Sequence, residues 1–167
     1  MFRCLILLVG ITIFSACDYY LVNPHRESVG FIQASEYKDP DSFYICYKEV
    51  QWPNNWSRSE SGYKYGKDSL KTFFQKHYDP KGFSDNSGYI TLRFIINCEG
   101  IIGLFKVHQV GLDYKEKAFP QALVRQLMSL IRTQNEWIPL QFGDTKYDSH
   151  IHFTFKIENG QLTEILP

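Results

Sequence analysis

Two cysteines and two histidines have the types and spacing best suited to chemistry in this chain. Cys46 and Cys98 stand far apart, with no Cys-x-x-Cys spacing of the kind that collects zinc. Two readings are open for them: a disulfide, which outside the cytoplasm would stabilise the fold by about 4 kcal/mol in the chain-entropy picture, or two buried thiols. His150 and His152 lie two apart on a stretch with strand alternation, so they project from one face at a spacing that chelates metals. No third ligand stands nearby, and two solvated histidines on a polar sheet face are the expectation. His77 and His108 are isolated and read as surface or core residues. Gly-x-Ser-x-Gly, His-Glu-x-x-His and glycine-rich phosphate loops are all missing from the sequence. No nucleophile, metal or cofactor is nominated, and the expectation is a protein without enzymatic activity.

A second group is aromatic. Trp52, Trp56, Tyr63 and Tyr65 fall within one loop, where their rings could stack on a sugar or on a partner protein. Packing over a sheet is the favoured expectation, with a glycan- or peptidoglycan-associated role as the alternative. The chain carries 13 Phe, 11 Tyr and 3 Trp, a composition that suits a sheet-rich core and contact surfaces. Its 18 basic residues balance 18 acidic ones. That argues against nucleic acid or an anionic membrane surface as the main partner, since both require a basic footprint.

The N-terminus sets the address. Arg3, an apolar run over residues 4–14, and then Ser15 and Ala16 ahead of Cys17 read as a signal peptide. The run is too short for a permanent membrane span, which takes roughly 20 residues. The small pair before Cys17 resembles the lipobox of bacterial lipoproteins, which implies that residues 1–16 are removed and that Cys17 carries lipid. Dual acylation suffices for stable anchoring to a membrane of the cell envelope, on its periplasmic face or at the cell surface. Residues 17–41 are polar, interrupted by Pro24, Gly30 and Pro40, and read as a tether. Residues 42–167 form the expected domain.

The elements that must position these groups follow from periodicity. Residues 43–50 read as a strand, and residues 68–78 as a short helix with Asp68 as its N-cap. Ile90, Leu92, Phe94 and Ile96 alternate with Thr91, Arg93 and Ile95, which predicts a strand with one face on a core. Asn97-Cys98-Glu99-Gly100 supplies a turn and residues 101–107 the returning arm, where Gly103 marks a bulge or a close crossing of the helix. Asp113 and Glu116 read as a capping box for a main amphipathic helix over residues 117–134. A third strand spans residues 150–157, and residues 162–166 read as a final short one.

Gly88-Tyr89-Ile90-Thr91-Leu92-Arg93-Phe94, Asn97-Cys98-Glu99-Gly100, Trp137-Ile138-Pro139 and His152-Phe153-Thr154-Phe155 occur in the order found in the TonB C-terminal domain, which this region resembles. Leu70 to Tyr78 followed by Asp79-Pro80 is similar to the short helix before the sheet of such domains, so the likeness covers roughly residues 65–157. The Asn-Cys-Glu-Gly turn and the closing residues resemble those of lipoproteins of the Bacteroidota type. The resemblance implies an α+β fold of two layers, an antiparallel sheet of about three to five strands packed on one main amphipathic helix. It also implies that an extended partner segment adds to the closing strand. In this chain that edge comprises Ser149, His150, Ile151, His152, Phe153, Thr154, Phe155, Lys156 and Ile157. A capped edge, with residues 162–166 as the cap, is the competing expectation. The partner would be an envelope protein or a second copy. The short tether and cleaved signal set the chain apart from energy transducers, which need a membrane-spanning helix and a long spacer.

Overall fold

Apolar alternation at period two and apolar stripes at three to four divide the chain into strands and helices as the periods require. The computed structural model describes residues 43–47, 52–53 and 61–166. The elements in order are β1 (Trp52–Pro53), β2 (Gly62–Tyr63), α1 (Gly66–His77), β3 (Gly88–Ile96), β4 (Ile102–Val110), α2 (Gln121–Arg132), β5 (Trp137–Ile138), β6 (Leu140–Phe142), β7 (Thr145–Tyr147), β8 (Ser149–Glu158) and β9 (Gln161–Leu166). The fold is mixed α+β. Its main sheet runs β1, β8, β3, β4, with β9 also paired to β8. Every pairing in it is antiparallel except the two-residue parallel contact of β1 with β8. Two small antiparallel ladders, β2 with β5 and β6 with β7, complete the strands.

The signal peptide, the lipidation residue Cys17, the tether and Trp56 lie outside the described residues.

Two helices of 12 residues each, rather than a single main one, pack on the sheet. Leu70 and Phe74 of α1 and Leu123, Leu127 and Ile131 of α2 are buried against Ile90, Leu92 and Phe94 of β3 and Phe153, Phe155 and Ile157 of β8. Each such side chain contributes about 1.5–3 kcal/mol relative to exposure. The helix starts differ from the sequence expectation. Asp113 does not cap α2: its Oδ1 accepts the Lys115 N–H at 3.2 Å, and Glu116 bridges back to Val110. That bridge holds the segment extended, and Pro120, which has no N–H, stands just before the first helical residue. In α1, Tyr65 occupies the cap position without a side-chain bond. Asp68 lies inside the first turn, where its charge suits the helix dipole.

The expected strand over residues 43–50 is not formed in its described part, residues 43–47. Side chains replace a ladder there, as Asn97 Nδ2 donates to the Tyr44 carbonyl and Asp148 accepts the Tyr47 N–H. The second face of β3 is also partly buried. Arg93 pairs with Lys106 and Ile95 with Gly103, so Phe94 faces two residues of β4, Leu104 and Phe105. This bulge needs Leu104 at φ 52, a conformation that costs about 1–3 kcal/mol in a non-glycine residue. Burial offsets it: Phe105 enters the main core while Leu104 joins Ile95, Phe43 and Ile45 on the opposite face. Gly103 is the site of a close approach, but to the Phe43 ring rather than to a helix. A Cβ there would overlap that ring.

Candidate functional site

The edge of β8 is the surface that the sequence singles out, and its strand partners show how it is held. On one side β8 pairs with β3 from Ser149 to Ile157. On the other, β9 pairs with Thr154 through Glu158, and β1 pairs with Ser149 and His150. Among the described residues, Ile151, His152 and Phe153 lie between the stretches of β8 that pair with β1 and with β9. The edge is therefore capped by the chain's own last strand over its C-terminal half, and a guest strand can pair there only if β9 leaves.

The cap is built locally. Asn159 and Gly160 both have positive φ, 50 and 76, the geometry of a tight hairpin turn matched to strand twist. Tyr78 donates its hydroxyl proton to the Gly160 carbonyl at 2.9 Å, and the Gly160 N–H donates to Asn86. Burial, then the nearby Asp79 carboxylate, pushes the Tyr78 hydroxyl up to about 12, so it stays a donor over the physiological range. Lys156 lies 3.2 Å from Glu158 and 3.4 Å from Glu164. The turn of β9 is thus anchored, whereas its far end, Glu164 to Leu166, rests on exposed or half-buried contacts.

At the other end of the sheet Cys46 and Cys98 are bonded, with Cα atoms 6.1 Å apart. Asp148, fully buried, accepts the Cys98 N–H at 3.1 Å on one carboxylate oxygen and the Tyr47 N–H at 2.6 Å on the other. Asn97, also fully buried, accepts from Glu99 and Ile101 and so closes the turn that carries Cys98. These two residues lock the segment 43–47 to the sheet. Asn97 is legible in its turn motif, whereas no local pattern distinguishes Asp148.

His150 and His152 do project from one sheet face, opposite Ile95 and Arg93. Among the described residues no group of three His, Cys, Asp or Glu side chains is placed to hold a metal. The His150 imidazole is pushed down to about 4, chiefly by burial, then by Arg93 and His152, so it is neutral at pH 7. The aromatic loop is divided. Tyr63 packs on Trp137 at 5.3 Å and donates its hydroxyl to Gln134, which makes it part of the wall rather than an open platform. Tyr65 is exposed beside it. For Trp52 only its strand pairing is described.

Neither a family model, nor a curated protein, nor a solved structure matches this chain.

Proposed function

We propose that this chain is a non-enzymatic lipoprotein of the bacterial cell envelope, anchored through Cys17, that binds an envelope protein or a second copy of itself by strand exchange at β8, as a TonB C-terminal-like domain would. The observation that carries this reading is the capped edge: among the described residues, the longest strand of the sheet is closed on one side by β1 of two residues and β9 of six. An incoming extended segment that displaces β9 recovers the backbone hydrogen bonds that β9 makes with Thr154 through Glu158, so the exchange costs little pairing. The half-buried Leu162 and Ile165, which pack on the main core, set the barrier to release. A tether of some 25 residues spans roughly 25 to 30 Å, which keeps the edge close to its membrane and favours a membrane-proximal binder over a transducer.

Removing residues 162–167 tests this directly. The truncated protein is expected to pass from monomer to dimer at micromolar concentration, or to capture its partner from crosslinked envelopes at least tenfold more efficiently than the intact chain. A truncated form that stays folded, monomeric and without any partner would sink the proposal.

A further inference from the structure

Where β9 lies along β8 the two strands do not match residue for residue. Phe155 stands opposite Ile165 and Lys156 opposite Glu164, but Ile157 stands opposite Leu162, so Thr163 has no counterpart on β8. An extra residue of this kind is a bulge, which interrupts the ladder and bends its own strand. The Thr163 hydroxyl donates to the Lys156 carbonyl at 3.3 Å and so replaces part of what the ladder loses. β8 itself is regular along this stretch, since it pairs with β3 in unbroken register from Ser149 to Ile157. The irregularity belongs to the cap and not to the strand it covers.

Three positions on β8 decide what can replace the cap. Phe155 and Ile157 are fully buried in the main core, and opposite them Ile165 and Leu162 are half-buried against the same core. Lys156, between them, belongs to the other face, with its ammonium 3.4 Å from Glu164 and 3.2 Å from Glu158. Across the ladder the order is therefore apolar, acidic, apolar. β9 presents that order with one residue too many, whereas a regular strand presents it in three successive residues. The turn that carries β9 is held fast. The Asn159 N–H donates to Ser87 Oγ at 2.9 Å, and a Cβ at Gly160 would overlap the Phe83 backbone.

We propose that the segment exchanged onto β8 belongs to a partner protein and reads apolar, acidic, apolar in three successive residues, running antiparallel to β8 with its carboxylate at Lys156. The inference rests on strand exchange at β8 and names the chemistry of the guest. Such a guest matches β8 without an extra residue, so it restores the regular ladder that β9 interrupts. The last strand of a second copy carries the same bulge and recovers only what was given up, which selects a different protein as the occupant. β9 peels from Leu166 toward its anchored turn, so the guest meets Phe155 first and Ile157 last. The apolar side chains supply the affinity and the carboxylate the register, because a slip of one residue puts the acid on the core face.

The probe is a fluorescein-labelled peptide, Thr-Gln-Leu-Glu-Ile-Thr, titrated by anisotropy against the full chain carrying Cys17→Ser. Saturable binding is expected, at least tenfold weaker when Ser replaces both Leu and Ile of the peptide and at least threefold weaker when Lys replaces its Glu. Lys156→Glu in the chain is expected to reverse that last preference. Should this variant unfold, Lys156→Gln is expected to abolish the preference instead. Ile165→Ser, which loosens β9, should raise the affinity for the peptide at least tenfold, and deletion of Thr163, which straightens β9, should lower it at least threefold. Binding that ignores the peptide's pattern, or is unmoved by deletion of Thr163, overturns the proposal while leaving strand exchange in place. A dimer of the intact chain built by exchanged β9 strands overturns the choice of a partner protein over a second copy. No binding of any peptide, even to the Ile165→Ser chain, sinks the proposal and strand exchange together.

Discussion

Replacing Cys98 by serine is expected to lower the free energy of unfolding by about 4 kcal/mol. The bond to Cys46 closes a separation of 52 residues, and its loss frees the unfolded chain to explore the conformations that the loop forbids. The native side should also respond. Phe43 and Ile45 cover Ile95 and Leu104, and with the bond gone Asn97 and Asp148 are, among the described residues, the side chains whose hydrogen bonds still tie their segment to the sheet. Urea unfolding of the oxidised chain, with and without reductant, measures the effect. Reductant should shift the midpoint of the parent protein and leave the serine variant unmoved. A loss below about 1 kcal/mol would show that the segment 43–47 is held by its hydrogen bonds and burial alone.

Phe94→Ala is expected to cost about 3–5 kcal/mol, the range for emptying an aromatic site in a packed core. Phe94 is fully buried, with Phe105 stacked at 5.0 Å, Trp137 edge-on at 5.1 Å and Phe153 at 6.2 Å. It also faces the bulge, so its ring helps hold Leu104 in a backbone conformation that only burial offsets. The near-ultraviolet circular dichroism of Trp137 should collapse along with stability. Phe142→Ala is the comparison, since Phe142 is exposed and its removal should stay within about 0.5 kcal/mol. Equal losses for the two variants would refute the assignment of Phe94 to the centre of the core.

Local pattern reached the elements well wherever one face meets water and the other a core. The alternation around Ile90 to Ile96 and Phe153 to Ile157, the Asn97 to Gly100 turn and the Asn159-Gly160 hairpin all lie where period and turn chemistry place them. The pattern misplaced elements whose partners come from elsewhere in the chain. Asp113 and Glu116 have capping-box spacing, but pairing of Glu116 with Val110 competes and wins. Residues 43–47 have strand composition, yet Asp148 and Asn97 satisfy that backbone and no ladder forms.

The sequence by itself determined the mixed composition of strands and helices, the apolar faces that meet in the core, and the two cysteines available for a bridge. Those properties depend on neighbours within a few positions, and period and residue type express them directly. Only the tertiary structure decided that β9 caps β8, that Cys46 meets Cys98 over the buried Asp148, and that Arg93, Lys106, His108, His150 and His152 share one face. Each of these is a matter of register between segments far apart in the chain. A shift of one residue turns every side chain of a strand to the opposite face, so which side chains share a face is set by the pairing and not by the neighbours in sequence.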